Sequence, residues 1–487
     1  MHKLHSFILA THRILGTLLS ILFCMWFLSG LVMIYHTFPR VKQADKWSRM
    51  DYLKADSLPA WEEVQKRLPA NEEIRHITLC QSLGQQVFQI QTDNGSHELT
   101  TDFSERTHID ASSIRQVAAS WNSSPVERID TLYTLEQWIP FGALRQHFPI
   151  YKYYFADKDR HQLYISSKTA EVLQYTSREE RCWAWLGAIP HWIYFTTLRQ
   201  DIDRWITVVV TLSGIGCIFC LTGLYLGIRD FRRARHQRRL LSPYKKFWYK
   251  WHHLAGAVFG LFVLTFCFSG MMSLANVEDF GIRSRLDFNP SQQLKQMHPE
   301  NYPLDYRKII QCHPHQLRQL EWTHFGLIPL YHAQTDSGPM TWDARCTNSL
   351  KPLNLTPEDI RDVLQSIHGK EANLKIEWLN EQDTYYVSRK RKLALPVWKV
   401  QIDDADASCY YIHPYSGEFR YVNRPARWQH WAYPALHSLQ IPELTTHPRL
   451  WYLIMWILML GGTFVSLSGF WLAIQYLRRK IKSRRWK

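Results

Sequence analysis

Four long apolar runs without Lys, Arg, Asp or Glu divide this chain into segments. They cover residues 14–35, 205–228, 251–277 and 450–477. Each run reaches the roughly 20 residues that an α-helix needs to cross about 30 Å of hydrocarbon. The pattern therefore predicts four transmembrane helices. The first run is longer than a signal-peptide core and no small-residue cleavage signal follows it, so we expect an uncleaved anchor.

Polar and apolar residues alternate in the two long segments between the runs, 36–204 and 278–449. Residues 356–365 have helical spacing and start with Thr-Pro-Glu-Asp, which is typical of a capped helix. Aromatic strands with period-two alternation follow, such as 409–412, which ends in the turn 413–418. A helix over a small antiparallel sheet buries both apolar faces. We therefore expect α+β domains in these segments.

The sequence also contains two copies of one pattern. One block recurs 240 positions later: His12, Gly16, Ser29 and Gly30 return as His252, Gly256, Ser269 and Gly270. A second block recurs 246 positions later: Trp185, His191 and Gly223 return as Trp431, His437 and Gly469. In the polar segments the shift is 247: Pro149, Lys152 and Glu171 return as Pro396, Lys399 and Glu418. Such internal similarity predicts two structurally related halves.

Basic residues flank the apolar runs. Segment 229–250 has nine Lys or Arg and one acid, and the tail 478–487 has seven Lys or Arg and no acid. The net charge of the whole chain is +15, so these flanks hold nearly all of the excess. Because basic residues accumulate on the cytoplasmic side, we expect both termini and the middle segment to be cytoplasmic and the long segments to be periplasmic. No basic face remains for nucleic acid, which is therefore not an expected partner.

The repeated histidines are candidate ligands of haem iron. Two imidazoles that face one another fill both axial positions of the metal. His12 and His252 each lie one turn before a glycine at the cytoplasmic end of a span, whereas His191 and His437 precede spans on the periplasmic side. We therefore predict two bis-histidine haems, one held by His12 and His252 and the other by His191 and His437.

Alternatives remain for individual side chains. His253 is a substitute for His252, although its repeat counterpart is an arginine. His36 is a weaker candidate, because an asparagine stands at the matching position. Trp185 and Trp431 are candidates for the walls of the haem pocket near His191 and His437. A single histidine at such a position could equally be an interfacial residue, since its ring is amphipathic.

The sequence gives little support for other cofactors. No Cys-x-x-Cys-His occurs, so haem would be non-covalent and of b type. Cys217 and Cys220 form a Cys-x-x-Cys inside the second apolar run, where packing is the simpler role. Five cysteines in the long segments permit one disulfide without indicating a framework. Phosphate-loop, flavin and nicotinamide motifs are absent, so we expect no cytoplasmic electron-donating domain.

Two groups of motifs resemble those of a known family. His-Arg-Ile-Leu-Gly at 12–16 and His-His-Leu-Ala-Gly at 252–256, before spans with Ser-Gly near their far ends, resemble PepSY-associated transmembrane proteins. The strand at 397–401 and the strand and turn at 411–418 resemble a PepSY domain, although the first copy has Ala170 where the second has Gly417. The resemblance covers nearly the whole chain. It implies a bacterial inner-membrane di-haem reductase of the ferrioxamine-reductase kind, which reduces ferric siderophores in the periplasm.

The expected fold class is a membrane protein with four transmembrane α-helices in two pseudo-symmetric repeats, plus two periplasmic α+β regions made of PepSY-like domains. The predicted divisions are the N-terminus with helix one (1–37), the first PepSY-like region (38–180), a haem-edge helix with helix two (181–228), the basic cytoplasmic loop (229–250), helix three (251–277), the second PepSY-like region (278–426), a haem-edge helix with helix four (427–477) and the basic tail (478–487).

Two classes of function are compatible with these features. In the first, the chain passes electrons from an unidentified cytoplasmic or membrane donor, through two b haems, to a ferric siderophore or similar ferric chelate in the periplasm. In the second, it is a non-catalytic PepSY sensor or protease-regulating protein. Both place it in the lipid bilayer as a multi-pass protein of the bacterial inner membrane, and a homodimer is compatible with either.

Overall fold

The computed structural model describes residues 2–69, 72–104, 109–237, 241–295, 297–389 and 393–484. Its helices are α1 (His2–Met33), α2 (Gln43–Trp47), α3 (Trp61–Gln65), α4 (Ala111–Trp121), α5 (Arg178–Leu186), α6 (Ala188–Trp192), α7 (Thr196–Arg199), α8 (Ile202–His236), α9 (Phe247–Met272), α10 (Pro290–Leu294), α11 (Tyr306–Cys312), α12 (Pro357–His368), α13 (Arg424–His430), α14 (Leu436–Ser438), α15 (Pro442–Thr445) and α16 (Pro448–Arg484). Short 3₁₀ turns occupy Gly142–His147, Val277–Phe280 and Pro299–Asn301, and a π-helical turn occupies Trp431–Ala435.

Four of these helices, α1, α8, α9 and α16, are long and apolar enough to cross a membrane, which confirms the four predicted spans. The third span ends earlier than expected, at Met272 instead of residue 277. The reason is local: the Asn276 side chain caps the 3₁₀ turn that starts at Val277. Part of the basic flanks, residues 238–240 and 485–487, lies outside the described residues.

The four long helices form a bundle in which α1 and α9 each pack against both α8 and α16. Glycines permit the close approach, because Phe27 of α1 lies against Gly462 and Phe259 of α9 lies against Gly461. Hydrogen bonds between Arg229 and His5 and between Arg479 and Tyr249 join the helices at the end that holds both termini, here called the terminal end. The two long segments leave from the opposite end, here called the loop end.

The two long segments share one seven-stranded antiparallel sheet. Its strands from the first segment are β1 (Ile74–Ser82), β2 (Gln85–Thr92) and β3 (Ser96–Thr100). Those from the second are β8 (Leu317–Phe325), β9 (Ile328–Thr335), β10 (Gly338–Asp343) and β11 (Lys351–Pro352). The order is β11-β10-β9-β8-β1-β2-β3, so the antiparallel pair β1 and β8 joins the two halves of the chain. Sequence analysis did not anticipate this joint sheet.

Each segment also has a four-stranded antiparallel sheet of its own. The first contains β4 (Val126–Leu132), β5 (Ile150–Phe155), β6 (Gln162–Ser166) and β7 (Val172–Thr176) in that order. The second contains β12 (Leu374–Leu379), β13 (Val397–Ile402), β14 (Cys409–Ile412) and β15 (Phe419–Val422), also in that order. Helix α4 packs on the first sheet and α12 on the second, each through an apolar face. The turn that precedes the last strand has a left-handed residue in both sheets, Ala170 (φ 55°) in the first and Gly417 (φ 72°) in the second.

Candidate haem-ligand site

The four predicted histidines lie in two groups at opposite ends of the bundle. His12 of α1 and His252 of α9 lie toward the terminal end, and their imidazoles are close enough to interact electrostatically. His191 of α6 and His437 of α14 lie beside the loop end, where short helices fold back against α1 and α9. The structure therefore brings His191 and His437 together and places His12 and His252 at the same end of the bundle.

The imidazoles of His191 and His437 face each other with ring centroids 6.2 Å apart and ring planes 58° apart. An iron bound to two imidazole nitrogens at about 2.0 Å each would place the ring centroids about 6 Å apart. Burial lowers the pKa of both side chains to about 4, and for His437 the neighbouring His191 adds to this effect. The pair is therefore neutral at physiological pH, which is the form that binds a metal. Spacing and charge state both fit a bis-histidine haem iron.

A hydroxyl group fixes the Nδ1 atom of every one of these histidines. His191 Nδ1 is 3.2 Å from Ser29 Oγ and 3.1 Å from the Trp26 carbonyl oxygen. His437 Nδ1 is 3.0 Å from Ser269 Oγ.

The other pair repeats the arrangement. His12 Nδ1 is 3.1 Å from Thr222 Oγ1, and His252 Nδ1 is 3.0 Å from Ser468 Oγ. In all four cases the hydroxyl belongs to a different helix from the histidine.

These hydroxyl groups determine which ring nitrogen carries the proton. Each one donates its own proton to a backbone carbonyl of its helix: Ser29 to Met25, Ser269 to Thr265, Thr222 to Phe219 and Ser468 to Val465. The hydroxyl oxygen can therefore only accept from the imidazole, so the network assigns the proton to Nδ1. The Nε2 lone pair is then available to a metal. Hydrogen bonding of the second ring nitrogen is the usual support of metal-binding histidines.

A glycine follows each of these hydroxyl residues and provides the surface on which the imidazole lies. A Cβ atom built on Gly223 would be 2.9 Å from His12 Cε1, and one on Gly469 would be 3.2 Å from His252 Cε1. On Gly30 and Gly270 the corresponding distances to His191 and His437 are 3.4 Å and 3.6 Å. Each long helix thus presents one Ser-Gly or Thr-Gly dipeptide to one histidine. We call this unit a hydroxyl-glycine seat; the four seats are 29–30, 222–223, 269–270 and 468–469.

Two buried tryptophans tie the loop-end histidines to the bundle. Trp205 Nε1 donates a 2.7 Å hydrogen bond to the carbonyl of Trp192, the residue after His191. Trp451 Nε1 donates a 2.8 Å hydrogen bond to the carbonyl of Ser438, the residue after His437. Sequence analysis did not give these tryptophans a role. The sequence does contain a signal for this role, because Trp205 and Trp451 each lie 14 residues after a candidate ligand, His191 or His437.

The remaining predicted residues lie around these sites. His253 points away from the terminal-end pair, since its Nε2 is 3.1 Å from the Gly227 carbonyl of α8. His36 stacks on Trp183 at 4.3 Å. Trp185 packs edge-on against Trp138 and Trp431 against His430. Among the described residues neither indole has a ring contact with His191 or His437, so their role as pocket walls stays a prediction.

Comparison with known proteins gives the family. The family model described as PepSY-associated TM region matches residues 9–353, which include most of α1, all of α8 and α9, and the joint sheet. No curated protein matches the chain.

Proposed function

This chain belongs to the family of PepSY-associated transmembrane regions, and on that premise we propose that it is a b-type di-haem reductase of the bacterial inner membrane. In this proposal it takes electrons from a cytoplasmic or membrane donor and reduces a ferric siderophore or similar ferric chelate in the periplasm. The observation that carries the proposal is the set of four hydroxyl-glycine seats. Each seat holds the Nδ1 atom of one imidazole and so leaves its Nε2 lone pair available, and the two histidines at each end of the bundle come from different halves of the chain.

Haem held by these histidines would supply reversible one-electron transfer. The four hydroxyl-glycine seats hold the imidazole ligands in position, and the surrounding helices keep water away from them. His12 and the Ser29 seat of His191 are 17 residues apart on α1, which is about 25 Å along a helix axis. The two pairs therefore lie at opposite ends of a span of membrane thickness, as a path across the bilayer requires.

Two further features support the direction of this path. The basic flanks favour a cytoplasmic location for the terminal end, so the His191 and His437 pair would be the periplasmic one. The sheets of both long segments lie on that side and offer surface for a chelate there. If His191 and His437 both bound the haem iron, a ferric chelate would accept its electron without binding to that iron.

Haem content is the first test. Protein expressed with ample haem should contain two non-covalent haems per chain with low-spin bis-histidine spectra. If His12 and His252 share one iron, His12→Ala and His252→Ala should each remove the same haem and the double variant should lose no more. His253→Ala is the matched control and should retain both haems. Absence of haem from the wild type would end the proposal, and additive losses would refute the pairing.

The substrate class has its own test. Dithionite-reduced protein should be reoxidised by ferric hydroxamate, with release of ferrous iron, in a stopped-flow measurement at the Soret band. His437→Ala should abolish this reaction. His413→Ala is the control, because His413 lies in the turn after β14 and its ring contacts only neighbours in that turn, Ser416 and Tyr415, among the described hydrogen bonds and ring contacts. An unchanged rate in His437→Ala would show that electrons leave by another route.

A further inference from the structure

A small cavity lies at the start of β9, outside the membrane bundle. It has a volume of about 10 Å³ and its polar lining consists of His298, Asn301, Tyr302 and His324. That volume corresponds to about one water-sized sphere. The cavity therefore has room for a single water molecule or metal ion.

His324 is the unusual side chain of this cavity. Both of its ring nitrogens are buried, and neither has a hydrogen-bond partner among the described residues. The Lys295 carbonyl oxygen lies near the ring but makes no hydrogen bond of normal geometry with either nitrogen. A buried imidazole whose nitrogens lack hydrogen-bond partners is costly, and such groups in folded proteins usually indicate an ion or water.

His298 supplies the second imidazole. It is near enough to His324 to interact with it electrostatically. Its Nδ1 is 3.2 Å from Glu300 Oε1, so the carboxylate fixes the proton on Nδ1 and leaves the Nε2 lone pair free. A carboxylate behind a histidine is the common support of a metal ligand, since it orients the ring and raises its basicity.

We propose that His298 and His324 bind a divalent first-row transition metal ion, with water completing its coordination. Imidazole nitrogens select ions such as Fe²⁺, Ni²⁺, Cu²⁺ and Zn²⁺ over Mg²⁺ and Ca²⁺, which prefer oxygen ligands. The Tyr302 hydroxyl donates its proton to the Thr323 carbonyl at 2.6 Å. That proton is therefore not available to satisfy His324. This site is independent of the haem ligands and adds a metal-binding function to the joint sheet.

Copper(II) is the probe of choice, because pulsed electron paramagnetic resonance counts the imidazoles bound to it. The purified full-length protein in detergent, treated with a chelator, should bind one equivalent of Cu²⁺ with echo modulation from two imidazoles. His298→Ala and His324→Ala should each reduce the count to one and weaken binding at least tenfold. Glu300→Gln should weaken binding about tenfold while both imidazoles remain. This last variant leaves the cavity intact and keeps the test valid if His324→Ala fails to fold.

Two control variants separate this site from others. His97→Ala removes an exposed histidine that pairs with Glu72, and should not change binding. Asp157, Asp159 and His161 hold ligand atoms within 4.8 Å of one another, so His161→Ala tests a competing site. The proposal would be overturned if the one tightly bound equivalent of Cu²⁺ were lost only in His161→Ala. An affinity that is unchanged in His298→Ala would also overturn it, since this would mean that the cavity holds water only.

Discussion

The indole nitrogen of Trp205 lies 2.7 Å from the carbonyl oxygen of Trp192, the residue that follows His191 in a short helix. Trp205 belongs to the long helix α8 and is only 6% exposed. The hydrogen bond therefore anchors the five-residue helix α6, which contains His191, to the long helix α8. The residue after Trp192, Ile193, has a left-handed backbone (φ 54°), so α6 ends there. A helix this short is not stable by itself and depends on contacts with the bundle.

Trp205→Phe should loosen this segment and weaken haem binding at the loop end. Loss of one buried hydrogen bond costs about 1 kcal/mol, or about a fivefold change in affinity. Haem transfer to apomyoglobin from the His191 and His437 site should accelerate by about this factor. Trp248→Phe alters an indole at the terminal end and should leave the rate unchanged. Equal rates in all three proteins would contradict an anchoring role.

The glycine seats should respond to an added methyl group according to their distances. Gly223→Ala would place a Cβ atom 2.9 Å from His12 Cε1, which forces the imidazole to move. Gly270→Ala would place one 3.6 Å from His437 Cε1, which is an ordinary contact. If the proposed haems are bound, we expect loss of the one at the terminal end in Gly223→Ala and near-normal haem content in Gly270→Ala, measured by the pyridine haemochrome assay. The reverse order would mean that the imidazoles are not seated as described.

A lysine, a carboxylate and a tyrosine form a partly buried group in each four-stranded sheet. Lys399 Nζ is 2.5 Å from Asp383 Oδ2 and Tyr411 donates to Asp383 Oδ1 at 3.0 Å. In the first sheet Lys152 Nζ is 2.6 Å from Glu136 Oε1, and Tyr164 donates to the same oxygen. The group in the second sheet leads to a prediction about pH.

Burial raises the pKa of Asp383, but hydrogen bonds from Lys399, the Tyr385 backbone and Tyr411 outweigh it, so the net shift is downward. A depressed folded-state pKa gives stability that is present above the unfolded value of about 4 and is lost as the pH falls through the folded value. Asp383→Asn should destabilise β13 and β14 at pH 7 by roughly 2–3 kcal/mol and remove this acid dependence. Hydrogen exchange of those strands between pH 3 and 7 checks both effects, with exposed Glu381→Gln as the control.

The joint sheet can be tested by cross-linking. Cys80 of β1 lies opposite Gln319 of β8 in the antiparallel register. Side chains at directly opposed positions have Cβ atoms about 4.5–5.5 Å apart, which is near the distance that a disulfide needs. Gln319→Cys should therefore form a disulfide with Cys80 under mild oxidation, detected by peptide mass spectrometry. Glu321→Cys, which is opposite Thr78, should cross-link much less. Equal yields would refute the register.

The sequence by itself determined the four spans, and its repeats indicated two histidine pairs while leaving His253 as an alternative to His252. Apolar runs of this length have no stable alternative in a folded chain, and repeated residues occupy equivalent places in related halves. The strand at 409–412 and the helix capped by Thr356 were equally accessible, because alternation and a capping side chain are local signals. The shared left-handed turn was not, since Ala170 adopts a backbone that its sequence alone disfavours.

Only the tertiary structure decided which groups contact each histidine and which strands pair between the two halves of the chain. His252 and His253 are adjacent in sequence, yet neighbours on a helix point about 100° apart, so only packing sends one to the Ser468 seat and the other to the Gly227 carbonyl. The hydroxyl that fixes each imidazole comes from another helix, far away in the chain, and no local pattern encodes that contact. The pairing of β1 with β8 has the same origin, because strand edges carry identical backbone groups and the choice between them depends on how the whole chain packs.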